Sequence, residues 1–284
     1  MKYQSSSYRV GMGLHPSHYS YLEQRPATEV AWFAASSEKY LDSRGRALET
    51  LQQVRQDYPL ALHGSGMNLG NAEGLHLDYL KKLRELIEQV EPFVVSDHVA
   101  WTGTSHHHLH DLLPLPHNEE TLQVLARNID LAQSQLKTAL ALENIASYVS
   151  YRSDDMSEWE FISELTCRTG CNLVLDLSAV MTNAHNHHFD PLKYLEHIPM
   201  DRVVQVNLAG PIKQGGSLYN TKATDVPNIV WELFKQVAPR IRHLPIAIER
   251  EQNIPEFSDL EMDVIKASFI LENSYEVERS TELV

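Results

Sequence analysis

The chain has 284 residues, 43% of them hydrophobic and 22% charged, and a formal net charge of −14. That is globular material with enough length for a substantial core, and the negative balance argues against nucleic acid or an anionic membrane as the main partner. The first 14 residues contain no apolar signal core and no run approaches the ~18 apolar residues of a membrane span, so a cytoplasmic protein is expected.

A β-then-α rhythm runs through the chain. Arg9–Leu14 (RVGMGL) and Glu29–Ala34 (EVAWFA) read as the first two strands. Gly45–Tyr58 carries Leu48, Leu51, Val54 and Tyr58 at helical spacing. The third strand ends at His63 and leads into a Gly- and Asn-rich loop. Leu75–Val90 is a helix with Leu77, Leu80, Leu83, Leu86 and Ile87 on one face. The fourth strand ends at His98, before a long loop, Trp101–Asn118, that holds Pro114, Pro116 and several His. Glu119–Leu136 is a helix, and the fifth strand ends at Glu143. Met156–Thr169 is a helix with Ser157 and Glu160 placed as a capping box. The sixth strand ends at Asp176, and a His-rich loop is expected from there to Asp190. Pro191–Ile198 (helix), Arg202–Leu208 (strand), Pro227–Val237 (helix), Leu244–Ile248 (strand) and Ser258–Leu271 (helix) complete the pattern. Eight βα units of this length predict a (β/α)8 TIM barrel. One domain is expected over 1–272, followed by a polar tail, 273–284, that frays.

Five apolar runs each end in a residue able to bind a metal: Tyr58–His63, Pro92–His98, Thr138–Glu143, Cys171–Asp176 and Pro245–Glu249. Carboxyl ends of barrel strands converge on one face. Neighbouring strands lie ~4.8 Å apart, so side chains from consecutive ends can share one ion. A lone buried His or Glu at a strand end is more often merely hydrogen-bonded; the recurrence on five runs is what points to a metal. Several buried carboxylates in one place need a cation, and the N and O donors suit a transition metal. By period two, Asp97 faces away from this pocket. One of His185, His187 and His188 could complete a second ion, with His187 the choice. His106, His107, His108 and His110 read as a polar loop. Cys167 and Cys171 lack further thiolates for a zinc site and sit at the opposite end of the barrel.

The segments LHGSGMNLG (62–70), VSDHVAW (95–101), HDLLPLP (110–116), LENIASY (142–148), RTGCNLVLDL (168–177), NAHNHHFDP (183–191) and VNLAG (206–210) occur in this order. Together they resemble the multinuclear non-haem iron-dependent oxidative enzymes (MNIO), first described as domain-of-unknown-function family 692. The likeness runs from about Val10 to Phe269. It implies a xylose-isomerase-like barrel with two or three irons at its mouth. It also implies O2 as co-substrate, cysteine in a ribosomally made precursor peptide as target, and a partner protein that presents the leader peptide. His63, His98, Glu143, Asp176, His187 and Glu249 match the family's iron-ligand positions.

Departures from the family pattern are equally informative. Its Glu-x-His on the seventh strand is Gln205 and Asn207 here, and its Asp-Thr-His-Gly is Asn220, Thr221, Lys222 and Ala223. An Asn pair is Ser178 and Ala179, and a second-strand Glu is Ala34. Asp97, Asn144, Gln205, Asn207, Asn220 and Lys222 are therefore expected around the ligands or at substituted ligand positions. Carboxamide oxygen is a weaker donor than imidazole or carboxylate. An ammonium beside a bound cation is unfavourable, but Lys222 could neutralise Asp176 or Glu249 in place of an ion. One or two irons are expected rather than three. The expected activity is that of a non-haem iron oxidoreductase acting on peptide cysteine. The alternatives are a degenerate relative serving as a binding or scaffold subunit, and a different metal reaction on the same barrel.

Overall fold

The structure is a computed structural model and describes residues 9–104 and 108–281. In chain order its strands are β1 (Val10–Gly13), β2 (Phe33–Ser36), β3 (Leu60–His63), β4 (Val94–His98), β5 (Trp101–Gly103), β6 (His108–Leu113), β7 (Ala141–Glu143), β8 (Asn172–Asp176), β9 (Val203–Leu208), β10 (Gly210–Gln214), β11 (Ser217–Thr224) and β12 (Ile246–Ile248). The helices are α1 (Tyr19–Leu22), α2 (Arg46–Asp57), α3 (Leu77–Val90), α4 (Glu119–Leu136), α5 (Glu158–Thr169), α6 (Leu177–His187), α7 (Pro191–His197), α8 (Asn228–Ile241) and α9 (Phe257–Thr281). Eight parallel strands close a barrel in the order β1, β2, β3, β4, β7, β8, β9, β12. The expected TIM barrel is thus present. The remaining strands form two antiparallel hairpins, β5–β6 and β10–β11.

The barrel interior is built small. Trp32, Ala34, Ala61, Val94, Ala141, Val174 and Ala247 form one buried cluster. Ala34 pairs with Ala61 and Ala61 with Val94 across neighbouring strands. These short side chains leave room for Trp32, which is fully buried. Gly11 completes the fit, because a Cβ there would lie 2.4 Å from the Trp32 ring. The alternate positions, among them Leu60, Leu62, Val95, Leu142, Leu175, Val206 and Ile248, join the helix faces in a second, larger core. Strand side chains alternate in direction. The stagger that points Ala61, Ala141, Val174 and Ala247 inward therefore also points His63, Glu143, Asp176 and Glu249 inward, two residues nearer the mouth.

Five segments differ from the sequence expectations. β2 lies at Phe33–Ser36 rather than Glu29–Ala34, set by pairing of Phe33 with Met12 and Leu60. The expected loop Trp101–Asn118 contains hairpin β5–β6; His106 and His107 lie outside the described residues. The His-rich segment after Asp176 is helix α6, with Leu177, Val180 and Ala184 buried on its inner face. Hairpin β10–β11 follows β9 directly, its turn made by Gly215 and Gly216 at φ +58° and +93°. The last helix runs on to Thr281 instead of ending at Leu271.

Candidate metal centre

β3, β4 and β7 are neighbours in the barrel, with His63 opposite Ser96 and His98 opposite Glu143. Their ends bring three donors together. His63 Nε2 lies 3.2 Å from His98 Nε2 and 3.3 Å from Glu143 Oε2. His98 Nε2 is 3.9 Å from Glu143 Oε1. Both rings are fixed from behind. His98 Nδ1 lies 3.0 Å from the Gly64 carbonyl, which can only accept, so Nδ1 carries the proton. His63 Nδ1 lies 2.8 Å from Ser96 Oγ, and that hydroxyl donates to the Leu62 carbonyl. The His63 proton is therefore also on Nδ1. Two bare Nε2 lone pairs and a carboxylate then face one point, an arrangement that repels itself unless a cation or a proton lies between.

A metal ion fits these donors. Nitrogens ~2.1 Å from one ion and 3.2 Å apart subtend roughly 100° at it. Neutral imidazoles and a carboxylate are the ligand types that bind divalent transition metals. The electrostatics treat the two histidines differently. Burial, then the charge of His63, pushes His98 down to about 3, which keeps it a neutral donor. Burial opposes charge on His63, but Glu143 and Glu249 outweigh it and raise its pKa. Burial would raise Glu143, yet Lys222, His63 and His98 bring it down to about 2.

Glu143, Asp176 and Glu249 form a second group whose oxygens lie close enough for an ion. Lys222 stands among them. Its Nζ is 2.6 Å from Glu249 Oε2, 3.1 Å from Glu143 Oε1 and 3.9 Å from Asp176 Oδ2. Burial lowers the pKa of a lysine, but Glu143 and Glu249 raise this one well above its ordinary value. Asp176 is further engaged. Its Oδ1 caps α6 by accepting from the Ser178 and Ala179 amides, and its Oδ2 accepts from Asn220 Nδ2 at 2.8 Å. Asn207 Nδ2 donates to Glu143 Oε2 at 3.1 Å and Glu249 Oε1 at 2.9 Å, and its Oδ1 accepts from Gln205 Nε2 at 2.8 Å. Asn144 exchanges bonds with the Asp176 backbone, tying β7 to β8. Asp97 points away from the donors, accepting from the Met67 and His98 amides.

His187 joins neither group. Helix α6 carries it eleven residues beyond Asp176, about 16 Å along the axis. There it is exposed and hydrogen-bonded to the Ser147 carbonyl at 3.0 Å. The sequence predicts a loop here; the segment is helix α6, and that holds His187 away from both groups. Ser96 was missed, although period two from His98 turns it inward. Also missed were Tyr148 and Tyr219, whose rings meet at 5.1 Å above the site. They line a cavity of about 490 Å³ that reaches down to His98, Glu143, Asp176 and Lys222. Hairpin β5–β6 supplies Leu109, Asp111 and Leu112 to its wall, and β10–β11 supplies Tyr219, Asn220, Thr221 and Lys222.

Similarity to known proteins follows the same lines. A "UPF0276 protein" of Caulobacter vibrioides is 42% identical over 259 residues, covering 90% of this chain and 92% of its own. One from Acaryochloris marina is 38% identical over 92% of this chain and 94% of its own. Among solved structures, an L-ribulose 3-epimerase superposes with a TM-score of 0.60 at 12% identity, over 97% of each chain. A xylose isomerase domain containing protein from Salmonella typhimurium gives 0.59 at 12% identity, over 95% of this chain and 99% of its own. At such identity these two carry the fold alone, a xylose-isomerase-like TIM barrel. The family described as "RiPP precursor modification enzyme MbnB/TglH/ChrH" matches residues 9–272. The chain belongs to that family.

Proposed function

We propose that this protein is an iron-dependent oxidative enzyme that uses O2 to modify cysteine in a ribosomally made precursor peptide. In this reading it acts in the cytoplasm beside a partner that presents the leader peptide. The observation that carries the proposal is the convergence of His63, His98 and Glu143, of which His98 and Glu143 line the 490 Å³ cavity. These three residues would hold the ion. When bound, iron supplies the one-electron and O2 chemistry that side chains lack.

The chain's own residues supply the rest. Ser96 and the Gly64 carbonyl keep both imidazoles in the tautomer that presents Nε2. Glu143 offers Oε2 to the same point while Lys222 holds Oε1. Tyr148, Tyr219, Leu109 and Leu112 form an apolar and aromatic part of the cavity wall, beside polar residues such as Thr102, Asp111 and Asn220, suited to holding a peptide segment over the donors. His187 has no place in the proposed ligand set.

The test is anaerobic loading with Fe(II), followed by measurement of bound iron and of O2 uptake with a cysteine-containing peptide. Iron retained by the wild type, lost in His98→Ala, with peptide-stimulated uptake, is the expected result. Iron binding with no uptake for any thiol peptide would instead favour a non-catalytic binding subunit. The observation on that side is Lys222 inside the second carboxylate group.

A further inference from the structure

We propose that the Lys222 ammonium is this protein's built-in substitute for a second metal ion. The centre then takes one divalent ion, at His63, His98 and Glu143, and none at Glu143, Asp176 and Glu249. The inference rests on the metal reading above and adds the count.

Three observations support it. First, each carboxylate oxygen of the second group already accepts at least one hydrogen bond. Glu249 gives one oxygen to Lys222 and the other to Asn207, and Asp176 gives one to the α6 amides and the other to Asn220. Glu143 turns Oε1 to Lys222, while Oε2 faces the histidines and also accepts from Asn207. Second, charge closes with one ion. Glu143, Asp176 and Glu249 carry three negative charges when ionised, and Lys222 with one divalent ion cancels them. A second divalent ion would leave two uncompensated positive charges in a buried site. Glu251 is 3.7 Å from Lys222 but largely exposed, so solvent screens it.

Third, the lysine is built in. Lysines normally extend their heads to water, yet Lys222 is only 6% exposed. Its backbone sits in the left-handed region at φ +50°, unfavourable for a residue with a Cβ. The Glu251 amide donates to its carbonyl at 2.8 Å and fixes it there. β11 thus delivers a cation from the hairpin roof into the barrel.

Counting iron decides the matter. Wild type, Lys222→Ala and Glu249→Gln are loaded anaerobically with Fe(II), desalted, and analysed for iron per chain, with folding checked by circular dichroism. The expected counts are one, two and one. Two or more irons on the wild type would overturn the proposal. So would a folded Lys222→Ala that stays at the wild-type count, or loss of the ion in Glu249→Gln. Should Lys222→Ala not fold, the wild-type and Glu249→Gln counts still decide. No iron on the wild type but one on Lys222→Ala would keep the role of Lys222 and remove the His63, His98 and Glu143 reading, so the two failures are distinguishable.

Discussion

His63 and His98 offer the same nitrogen to the same point but are held by different means. His98 leans on a backbone carbonyl, which no side-chain substitution can remove. His63 leans on Ser96 Oγ at 2.8 Å. Removing the partner behind a metal-binding imidazole typically weakens metal affinity 10- to 100-fold. Ser96→Ala is therefore expected to weaken Fe(II) binding by about that factor while the circular dichroism spectrum stays unchanged. Titration with Fe(II) under anaerobic conditions measures it, and an unchanged affinity would show that His63 needs no orienting partner. At this scale the sequence is legible where a donor ends an apolar run, as His63, His98, Glu143, Asp176 and Glu249 do. The inward direction is then set by strand period alone. Lys222 is legible only through the family's substituted ligand position, which points to Asp176 or Glu249 as its partner; its contact with Glu143 is not foreseen. Which carboxylates it meets depends on how hairpin β10–β11 folds over the barrel, and the residues around it do not encode that locally.

The elements missed in the sequence had local signals that composition obscured. Gly215 and Gly216 between two polar stretches are a hairpin signature, but strand β11 alternates weakly. In α6 the spacing of Leu177, Val180 and Ala184 is helical, while its Asn and His residues read as loop. Asp176 ends a strand and caps a helix at once, so no turn residues intervene. Helix α5 shows how these elements lock together. Glu158, in its first turn, accepts from Asn183 on α6 at 2.9 Å and Tyr194 on α7 at 3.0 Å. Burial pushes its carboxyl up to about 7, against the pull of those two bonds. The folded value lies above the ordinary 4.5, so the folded state holds this proton more tightly than the unfolded chain does. That contribution is fully present below pH 4.5 and is lost as pH rises through 7. Glu158→Gln has no proton to lose. Between pH 4.5 and 7.5 the wild type should therefore lose about 1–3 kcal/mol of stability relative to Glu158→Gln, allowing for the residue's partial exposure. Urea unfolding at a series of pH values reads this directly. A difference that stays flat across the range would place the Glu158 carboxyl at its ordinary value.

On the scale of the molecule, the donors of the centre come from residues 63, 98 and 143, far apart in the chain but on adjacent strands of a closed sheet. A ligand that binds only where those strands have closed stabilises the native state by mass action, about 2.7 kcal/mol at a hundredfold excess over its dissociation constant. For a chain of this size each kcal/mol moves the melting temperature by roughly 2–4 °C. Saturating Fe(II) added anaerobically should thus raise the melting temperature by roughly 5–10 °C, and a chelator should reverse the gain. The metal-free protein should still melt cooperatively. Its barrel floor of Trp32 and the surrounding alanines is apolar and complete without an ion, and Lys222 already neutralises part of the acidic group above it. His98→Ala separates the possible origins of the shift. If the ion binds at His63, His98 and Glu143, this variant melts at one temperature with and without Fe(II). A shift of the same size in the variant would mean that the ion stabilises the fold from somewhere else, and the convergence of these three strand ends would then need another explanation.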